Sequence, residues 1–435
     1  MNLLVVVPNY PYPAHRFAGI FNQKSVHALG RLCHRVSVLA PCPYVPPLVA
    51  ACLPRWKAYA TVPEFYTQDG ISVHRPKVPV VPRVASAFWS DRGCFLWSRA
   101  TARKMHRQRR FDAILSFDLA GAGGVAWRLG RDLGLPATGW ATGNDVRVPA
   151  GSSHGRAVIR ALRNLGLVFY QSTELKEQAA GLLGMSPARL SPERHVVLPR
   201  GIPGPPAIST VERRNRTRAR WGIQPDEFVV LYLGRILRPK GLLELLQALS
   251  LAVAREPSIK GVVVGSKPGF DETALVKKHL RDLPRLDGRV MLLPECSPDD
   301  VWECYCAGDL FAFPSHKEGM PNSLLEAMAV GLPAVAFAIP AVQELDAGAG
   351  GLVLVPPLDA ELFAQAILRL VASPTERARV GKNAKAIVMD RFMVRKNMAE
   401  ALRRMSLLVE GGLRPAFYGT DDIHLSSPAV NGING

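Results

Sequence analysis

The amino-acid sequence predicts an α/β protein made of two doubly wound halves, each built on a parallel sheet. Short apolar runs typical of fully buried strands recur along the chain, and helical patterns separate them. Strands that alternate with helices form βαβ units with right-handed crossovers, which generate a parallel sheet. The chain has 435 residues, of which 48% are hydrophobic and 21% are charged. This composition supplies several cores and excludes a largely disordered protein.

The first half is predicted to be a Rossmann-like domain over residues 1–202. It opens with a strand at 3–8, a loop that contains glycine, and a helix at 21–32. A further helix is predicted at 124–133. The remaining strands of this half are predicted at 35–41, 111–118, 136–142, 165–172 and 195–201.

The second half repeats the pattern over residues 225–390, after a linker with a short helix at 203–224. An amphipathic helix within 391–410 is expected to pack back towards the first domain. The tail at 411–435 is rich in Gly, Pro and Ser and is expected to be disordered. The strands of the second half are predicted at 228–234, 260–265, 289–294, 310–315, 333–337 and 351–357.

Several classes of protein are excluded by simple patterns. The seven cysteines include no CxxC pair, which argues for reduced thiols and against a zinc site or a disulfide framework. No apolar run reaches the ~18 residues that a spanning helix needs. The opening MNLLVVVP lacks the basic leader of a secretory signal. We therefore expect a cytoplasmic protein.

The net charge of +18 is unevenly distributed. Residues 1–200 hold 26 Lys and Arg against 10 Asp and Glu, whereas the rest of the chain holds 28 against 26. The first half should therefore meet an anionic partner, such as a phospholipid surface, a lipid phosphate or a nucleic acid. A general bias towards solubility explains the charge equally well.

Two segments of the second half carry the candidate chemistry. GRILRPKG at 234–241 follows a strand and supplies Arg235 and Lys240, cations that suit a diphosphate. HKEGMPNSLLEAMAVGLPAVA at 316–336 places Glu318 in a loop and Glu326 in a helix, eight positions apart. Because a helix start offers free N–H groups, this loop and helix can hold a sugar and a phosphate together.

The helix start allows two interpretations of Glu326. Asn322 and Ser323 are residue types that cap helices, and Ser323-x-x-Glu326 matches a capping box, which would give Glu326 a structural role. A donor-binding role requires the same carboxylate to be free. The sequence leaves both interpretations open.

These motifs closely resemble the family 4 (group 1) glycosyltransferases. The resemblance rests on GR-x4-KG, on EG-MPN-x-LLEAMA-x-GLPAVA and on the early strand, glycine loop and helix, and it covers roughly residues 1–410. It implies the GT-B fold, in which two Rossmann-like domains face each other across the active site. The segment at 19–47 is further similar to the branch that builds bacterial exopolysaccharide or teichuronic acid chains.

The resemblance implies a role for each matching residue. Arg235 and Lys240 would neutralise the donor diphosphate, Glu318 would bind sugar hydroxyls, and Glu326 would bind the nucleotide ribose. Gly19 would let backbone amides approach the diphosphate from the first domain. The remaining donor contacts are assigned to Gly234, Gly265, Gly319, Met320, Pro321, Asn322 and Ser323.

Two features of the sequence bear on the mechanism. The family often has a histidine near a Gly-x-Asp segment of the first domain, but this chain has Ala141-Thr142-Gly143-Asn144-Asp145, so Asp145 is our candidate catalytic group there. No DxD motif occurs, so we expect no metal and no cofactor beyond the nucleotide sugar. The resemblance also implies retention of the anomeric configuration. We further expect transfer of a hexose-type sugar to a saccharide acceptor, and binding of the basic first half to a membrane would fit an acceptor that is lipid-linked.

The segment at 88–110 places Phe88, Trp89, Phe95 and Trp97 before a cluster of bases. Such a segment can lie peripherally on the inner face of the plasma membrane, or it can be an ordinary helix with a solvated basic face. Nucleic acid is not expected, since no nucleic-acid-binding motif accompanies the bases. Two alternative functions stay open: a GT-B nucleotide-sugar epimerase or phosphorylase, and a non-catalytic subunit that recruits a partner to membranes.

Overall fold

The computed structural model describes most of the chain, with short internal gaps. The tail that the sequence predicts to be disordered lies outside the described residues, apart from Gly411. None of the described helices is long and apolar enough to cross a membrane. The described residues are 1–12, 19–52, 56, 59–79, 88–206, 210–267, 271–297 and 300–411.

The N-terminal domain contains an eight-stranded sheet in the order β10-β9-β8-β7-β1-β2-β5-β4. All of its strands pair in parallel except β4 and β5, which form an antiparallel hairpin. β3 and β6 form a separate parallel pair. Strands β3 to β6 were not predicted from the sequence. The strands are β1 (Asn2–Val6), β2 (Arg35–Leu39), β3 (Cys42–Tyr44), β4 (Phe65–Gln68), β5 (Ile71–His74), β6 (Lys77–Pro79), β7 (Ala113–Phe117), β8 (Ala137–Ala141), β9 (Leu167–Tyr170) and β10 (His195–Val197).

Helices cover both faces of this sheet, and each face has its own apolar core. A π-helical turn, Phe88–Gly93, leads into the third helix. The helices of this domain are α1 (Ile20–Gly30), α2 (Pro47–Cys52), α3 (Cys94–Gln108), α4 (Ala122–Leu133), α5 (Ser153–Asn164) and α6 (Thr173–Leu182).

The C-terminal domain contains a six-stranded sheet in the order β13-β12-β11-β14-β15-β16, and all of its pairs are parallel. Its core is a single large cluster of buried side chains. The strands are β11 (Phe228–Leu233), β12 (Ile259–Ser266), β13 (Val290–Pro294), β14 (Leu310–Phe313), β15 (Ala334–Phe337) and β16 (Val353–Val355).

The helices of the second half divide between the two domains. α7, which lies within the segment expected as a linker, joins the C-terminal domain, because Arg214 and Arg218 both pair with Asp309. α15 belongs to the core of the N-terminal domain. These helices are α7 (Thr210–Trp221), α8 (Leu242–Val253), α9 (Thr273–Arg281), α10 (Val301–Ala307), α11 (Asn322–Ala329), α12 (Pro340–Asp346), α13 (Ala360–Ala372), α14 (Pro374–Arg391) and α15 (Val394–Val409).

In each sheet, the order in which the strands follow one another along the chain reverses at one point. Strand order reverses between β7 and β1 in the first sheet, and between β11 and β14 in the second. Doubly wound sheets bind ligands beyond the carboxyl ends of the strands at such points. The two reversal points therefore mark where a site between the domains should lie.

Candidate active site

The two predicted motifs meet because β11 and β14 are neighbours in the sheet. The loop 234–241 leaves β11, and the loop 314–321 leaves β14. The backbone N–H of His316 donates to the carbonyl of Pro239 at 2.9 Å, which ties the loops together. Gly241 has a φ of 68°, and a Cβ there would lie 1.8 Å from the carbonyl oxygen of Pro314. A glycine at this position allows the close approach of the two loops.

These loops form one wall of a cavity of about 460 Å³ between the domains. The volume lies within the usual range for small-molecule sites. Most residues that the sequence analysis assigned to the donor site line it. They are Gly234, Arg235, Lys240, Gly265, Glu318, Met320, Asn322, Ser323 and Glu326.

The charges in the cavity are partly paired. The Lys240 Nζ lies 2.5 Å from the Glu318 Oε1, so the two groups neutralise each other. Arg235 is exposed and forms no ion pair with any described residue. Arg235 is therefore a cation of the cavity that is already available to an anion, whereas Lys240 must exchange or share its partner.

The start of α11 differs from the prediction. The helix begins at Asn322, its N-cap is Pro321, and no side chain caps it. Asn322 and Ser323 thus lie in the first turn and do not cap, because the chain already enters the helix at Asn322. The carboxylate of Glu326 does not close a capping box. Asn322 and Ser323 of this first turn line the cavity, and the buried Asn322 Oδ1 has no hydrogen-bond partner in the described part of the chain.

Two further elements complete the cavity. Ile20, Phe21 and Lys24 of α1 form the wall contributed by the N-terminal domain. The loop after β13 contributes Glu295, Cys296 and Ser297 at another side.

Four predicted site residues do not line this cavity: Gly19, Gly319, Pro321 and Asp145. Gly19 is the N-cap of α1 and packs against the carbonyl of Asn9, so it does not line the cavity. Gly319 and Pro321 line a second cavity of about 360 Å³ between the domains. Met320 borders both cavities.

Asp145, our candidate catalytic group in the N-terminal domain, is buried and does not line the cavity. Its carboxylate accepts hydrogen bonds from the backbone N–H groups of Leu119, Thr142, Gly143 and Val146. A carboxylate with four such donors organises the loop after β8. These contacts give Asp145 a positioning role and lend no support to direct catalysis.

Residues 213–387 match the protein family described as glycosyl transferases group 1. This segment contains both loops and all the predicted residues of the C-terminal wall. The C-terminal domain of the chain belongs to the group 1 glycosyltransferases. The chain is therefore a glycosyltransferase with the GT-B fold.

Relatives of this glycosyltransferase include cell-surface polysaccharide enzymes. It is 27% identical over 404 residues to TuaC of Bacillus subtilis, named for teichuronic acid biosynthesis, and the match covers 92% of this chain and 97% of TuaC. It is 29% identical over 171 residues to the capsular polysaccharide biosynthesis glycosyltransferase CapM of Staphylococcus aureus, covering 38% of this chain and 43% of CapM. A D-inositol 3-phosphate glycosyltransferase of Rhodococcus opacus is 33% identical over 39% of each chain.

Solved structures share the fold of this glycosyltransferase. A sucrose-phosphate synthase from Thermosynechococcus elongatus superimposes with a TM-score of 0.72 at 19% identity, covering 94% of this chain and all of that one. Anabaena Alr3699/HepE in complex with UDP gives 0.68 at 19% identity, covering 93% of this chain and all of HepE.

The N-terminal domain of the glycosyltransferase touches the loop that carries Glu318. Arg147 donates to the backbone carbonyl of Glu318 at 2.6 Å, and the same Nη2 contacts the carboxylate of Glu174 at 3.0 Å. A Cβ at Gly319 would lie 2.6 Å from the carbonyl oxygen of Thr142. The position of the Glu318 loop thus depends on both domains.

Two phenols stay protonated: that of Tyr232, which lines the cavity, and that of Tyr305, which contacts the carboxylate of Glu326. Burial, with a further contribution from the charge of Glu318, raises the pKa of Tyr232, whose hydroxyl donates to the carbonyl of Arg235 at 2.9 Å. Burial and the charge of Glu326 likewise raise the pKa of Tyr305. Both phenols therefore act as hydrogen-bond donors.

Lys24 and Tyr232, which line the cavity, and Tyr305, which contacts Glu326, were not predicted from the sequence. A signal existed for Lys24: it lies early in the helix that follows β1, and β1 borders the point where strand order reverses. Tyr232 and Tyr305 look like core aromatics in the sequence, and their position beside the cavity follows only from the packing. No cluster of three or more His, Cys, Asp or Glu suited to a metal occurs in the described residues. Metal independence stays a prediction.

Proposed function

We propose that this glycosyltransferase transfers a hexose from a nucleotide-diphosphate sugar to a lipid-linked saccharide during synthesis of a cell-surface polysaccharide. The observation that carries the donor class is that Arg235, Lys240 and the uncapped first turn of α11 face one cavity. Two cations and free N–H groups suit a diphosphate, and they stabilise the charge that develops as it departs. The names of TuaC and CapM support the polysaccharide pathway.

We further propose a retaining, metal-independent reaction, as the family resemblance implies. Arg235 and Lys240 supply the positive charge that a divalent metal would otherwise bring to the phosphates. Asp145 is engaged by backbone N–H groups, so it is not free to act as a base on the acceptor. In a retaining reaction the departing diphosphate can accept the acceptor's proton.

The test has two steps. A thermal-shift screen of nucleoside diphosphates and nucleotide sugars identifies the donor, because a ligand well above its dissociation constant raises the melting temperature. Transfer from that donor to a membrane lipid extract is then followed with and without EDTA, and the anomeric configuration of the product is read by NMR. Full activity in EDTA with retention is expected. Absence of any nucleotide stabilisation, or loss of activity in EDTA, would overturn the respective part of the proposal.

We also propose that the N-terminal domain binds anionic membranes peripherally from the cytoplasm. Leu96 and Trp97 of α3 are 57% and 52% exposed, and the exposed bases Lys104 and Arg107 follow on the same helix. An exposed indole ring, an exposed leucine and exposed bases on one helix suit the headgroup layer of a membrane. Phe95 is only partly exposed, and the side chains of Phe88 and Trp89 lie outside the described residues.

Vesicle flotation tests the membrane proposal. Binding to vesicles that contain phosphatidylglycerol, but not to pure phosphatidylcholine, is expected, together with release at high salt. A Leu96→Ser, Trp97→Ser variant should bind weakly, whereas Leu362→Ser, at an exposed leucine of the C-terminal domain, should bind normally. Equal binding by all three proteins, or none by the wild type, would refute the proposal.

A further inference from the structure

Lys24 of the N-terminal domain contacts Glu326, the glutamate that the family resemblance assigns to the ribose of the donor. Its Nζ lies 2.8 Å from the Glu326 Oε1, across the boundary between α1 and α11. The Lys24 side chain is 23% exposed and the Glu326 side chain 6%. The same ammonium lies 5.6 Å from the ring centre of Phe21, one turn earlier on α1. The lysine is thus directed into the cavity by its own helix.

The second oxygen of Glu326 is held from the other side. The hydroxyl of Tyr305 donates to the Oε2 at 3.1 Å. Because Tyr305 stays protonated, this contact persists as a donated hydrogen bond. A carboxylate has about four acceptor positions. Lys24 and Tyr305 use one on each oxygen, which leaves one on each for the two hydroxyls of a ribose.

A buried carboxylate needs a counter-charge. Without Lys24, the Glu326 carboxylate, whose side chain is only 6% exposed, would keep the phenol of Tyr305 as its one hydrogen-bond donor among the described residues, and a buried charge without a charged partner is unfavourable. Lys24 therefore supplies the counter-charge of Glu326 and fixes the plane of its carboxylate.

We propose that Lys24 is a positioning residue for the donor ribose, and that it acts through Glu326. The ribose site is then complete only when the N-terminal domain lies against the C-terminal domain. This inference rests on the proposed binding of a nucleotide donor. It differs from two other roles for the same lysine: a direct contact with the diphosphate, and a latch that the donor must break.

The experiment uses calorimetry with the full chain and the nucleoside diphosphate identified by the thermal-shift screen. Lys24→Met should weaken binding about tenfold, the effect of losing a charge-assisted contact. Lys24→Arg should restore most of the affinity. For the 2′,3′-dideoxy analogue of the same diphosphate, the affinities of Lys24→Met and the wild type should agree within about twofold. This analogue lacks the hydroxyls from which Glu326 would accept hydrogen bonds. Lys382→Met, at an exposed lysine of α14, serves as the matched control and should bind normally.

Each outcome discriminates between the roles. Equal weakening with the parent and the dideoxy ligand would assign Lys24 to the diphosphate and overturn the inference. Tighter binding by Lys24→Met would identify a latch and also overturn it. If the wild type binds no nucleoside diphosphate, the proposed function itself is wrong. Melting curves of each variant show whether a loss of binding results from unfolding.

Discussion

At the scale of single residues, Lys240 and Glu318 hold each other in the cavity at 2.5 Å. A donor must offer each of them a better partner: a phosphate for the ammonium and a sugar hydroxyl for the carboxylate. We expect Lys240→Ala and Glu318→Ala each to lower turnover ~100-fold or more, the scale for losing one group that stabilises developing charge. Initial rates at saturating donor measure this loss.

A neighbouring lysine supplies the control for these variants. Lys317 is exposed, precedes Glu318 and does not line the cavity. Lys317→Ala should keep near-native turnover. If both Lys240→Ala and Glu318→Ala also retain it, the site assignment is wrong.

Asp118 gives a prediction about stability and pH. It lies at the end of β7 with a φ of 112°, and its Oδ1 accepts from the N–H of Gly121 at 2.9 Å. Burial, followed by the negative charge of Asp145, raises the pKa of Asp118 to about 7. A raised carboxyl pKa means that the folded state binds more protons than the unfolded state above pH ~4, so stability falls as the pH rises towards 7.

Asp118→Asn should therefore stabilise the protein at pH 8, since asparagine keeps the acceptor oxygen and tolerates positive φ but carries no charge. We expect a melting temperature higher by ~2 °C or more at pH 8 and unchanged at pH 4. A gain of equal size at both pH values would show that the charge is not the cause.

Motifs in the sequence indicated which side chains of the C-terminal domain would lie together. Arg235, Lys240, Glu318 and Glu326 were all found from spacing and resemblance, and they share one cavity. Asp145 was chosen because a polar residue was expected near that loop, but residue type does not reveal that backbone donors already occupy its oxygens. Lys24 was missed because its partner is about 300 positions away in the chain.

At the scale of elements, the buried parallel strands were predictable because they are continuous apolar runs. The β4–β5 hairpin was missed, although Asp69-Gly70 between two strands is a known signal for a tight hairpin turn. Its strands are short and partly exposed, so they lack the apolar run on which the analysis relied. β3 and β6 have three residues each, below what periodicity can detect.

The loop before α11 yields a prediction about contact between the domains. A Cβ at Gly319 would lie 2.6 Å from the carbonyl oxygen of Thr142, and this oxygen belongs to the backbone, so it cannot turn away as the end of a side chain could. Gly319→Ala should therefore push the Glu318 loop off the N-terminal domain and lower turnover by ~10-fold or more, since small misplacements of catalytic groups are costly.

Its control is Gly151→Ala, where no atom of a neighbouring described residue lies within 4 Å of the added Cβ. Gly151→Ala should match the wild type in rate. Both variants should retain the wild-type circular dichroism spectrum, and wild-type turnover in Gly319→Ala would show that the contact has no part in catalysis.

At the scale of the whole molecule, the two-sheet architecture followed from the order of strands and helices, and the cleft followed from where each sheet reverses. The connection between the halves is less visible in sequence. The chain crosses between the domains twice, and the two crossing segments are hydrogen-bonded to each other. The carbonyl of Ile202 accepts from the N–H of Val394 at 2.9 Å, and the N–H of Ile202 donates to the carbonyl of Phe392 at 2.8 Å. The amphipathic pattern of α15 shows that one face of the helix is buried. It does not show that this face packs on the N-terminal domain, which follows from the pairing of Ile202 with residues 392–394.

α15 therefore controls the stability of a domain that precedes it by about 200 residues. Its Met398 and Met405 are fully buried in the N-terminal core, in the same cluster as Trp140. Met405→Ala should lower the free energy of unfolding by ~2–4 kcal/mol, the usual loss for a buried methionine. Leu407→Ala, at a 42% exposed leucine of the same helix, should cost less than ~0.5 kcal/mol. Urea denaturation followed by tryptophan fluorescence compares the two, and equal losses would place α15 outside the core. By the same argument, residues 1–202 produced alone should lack a cooperative unfolding transition and regain it when α15 is supplied in the chain.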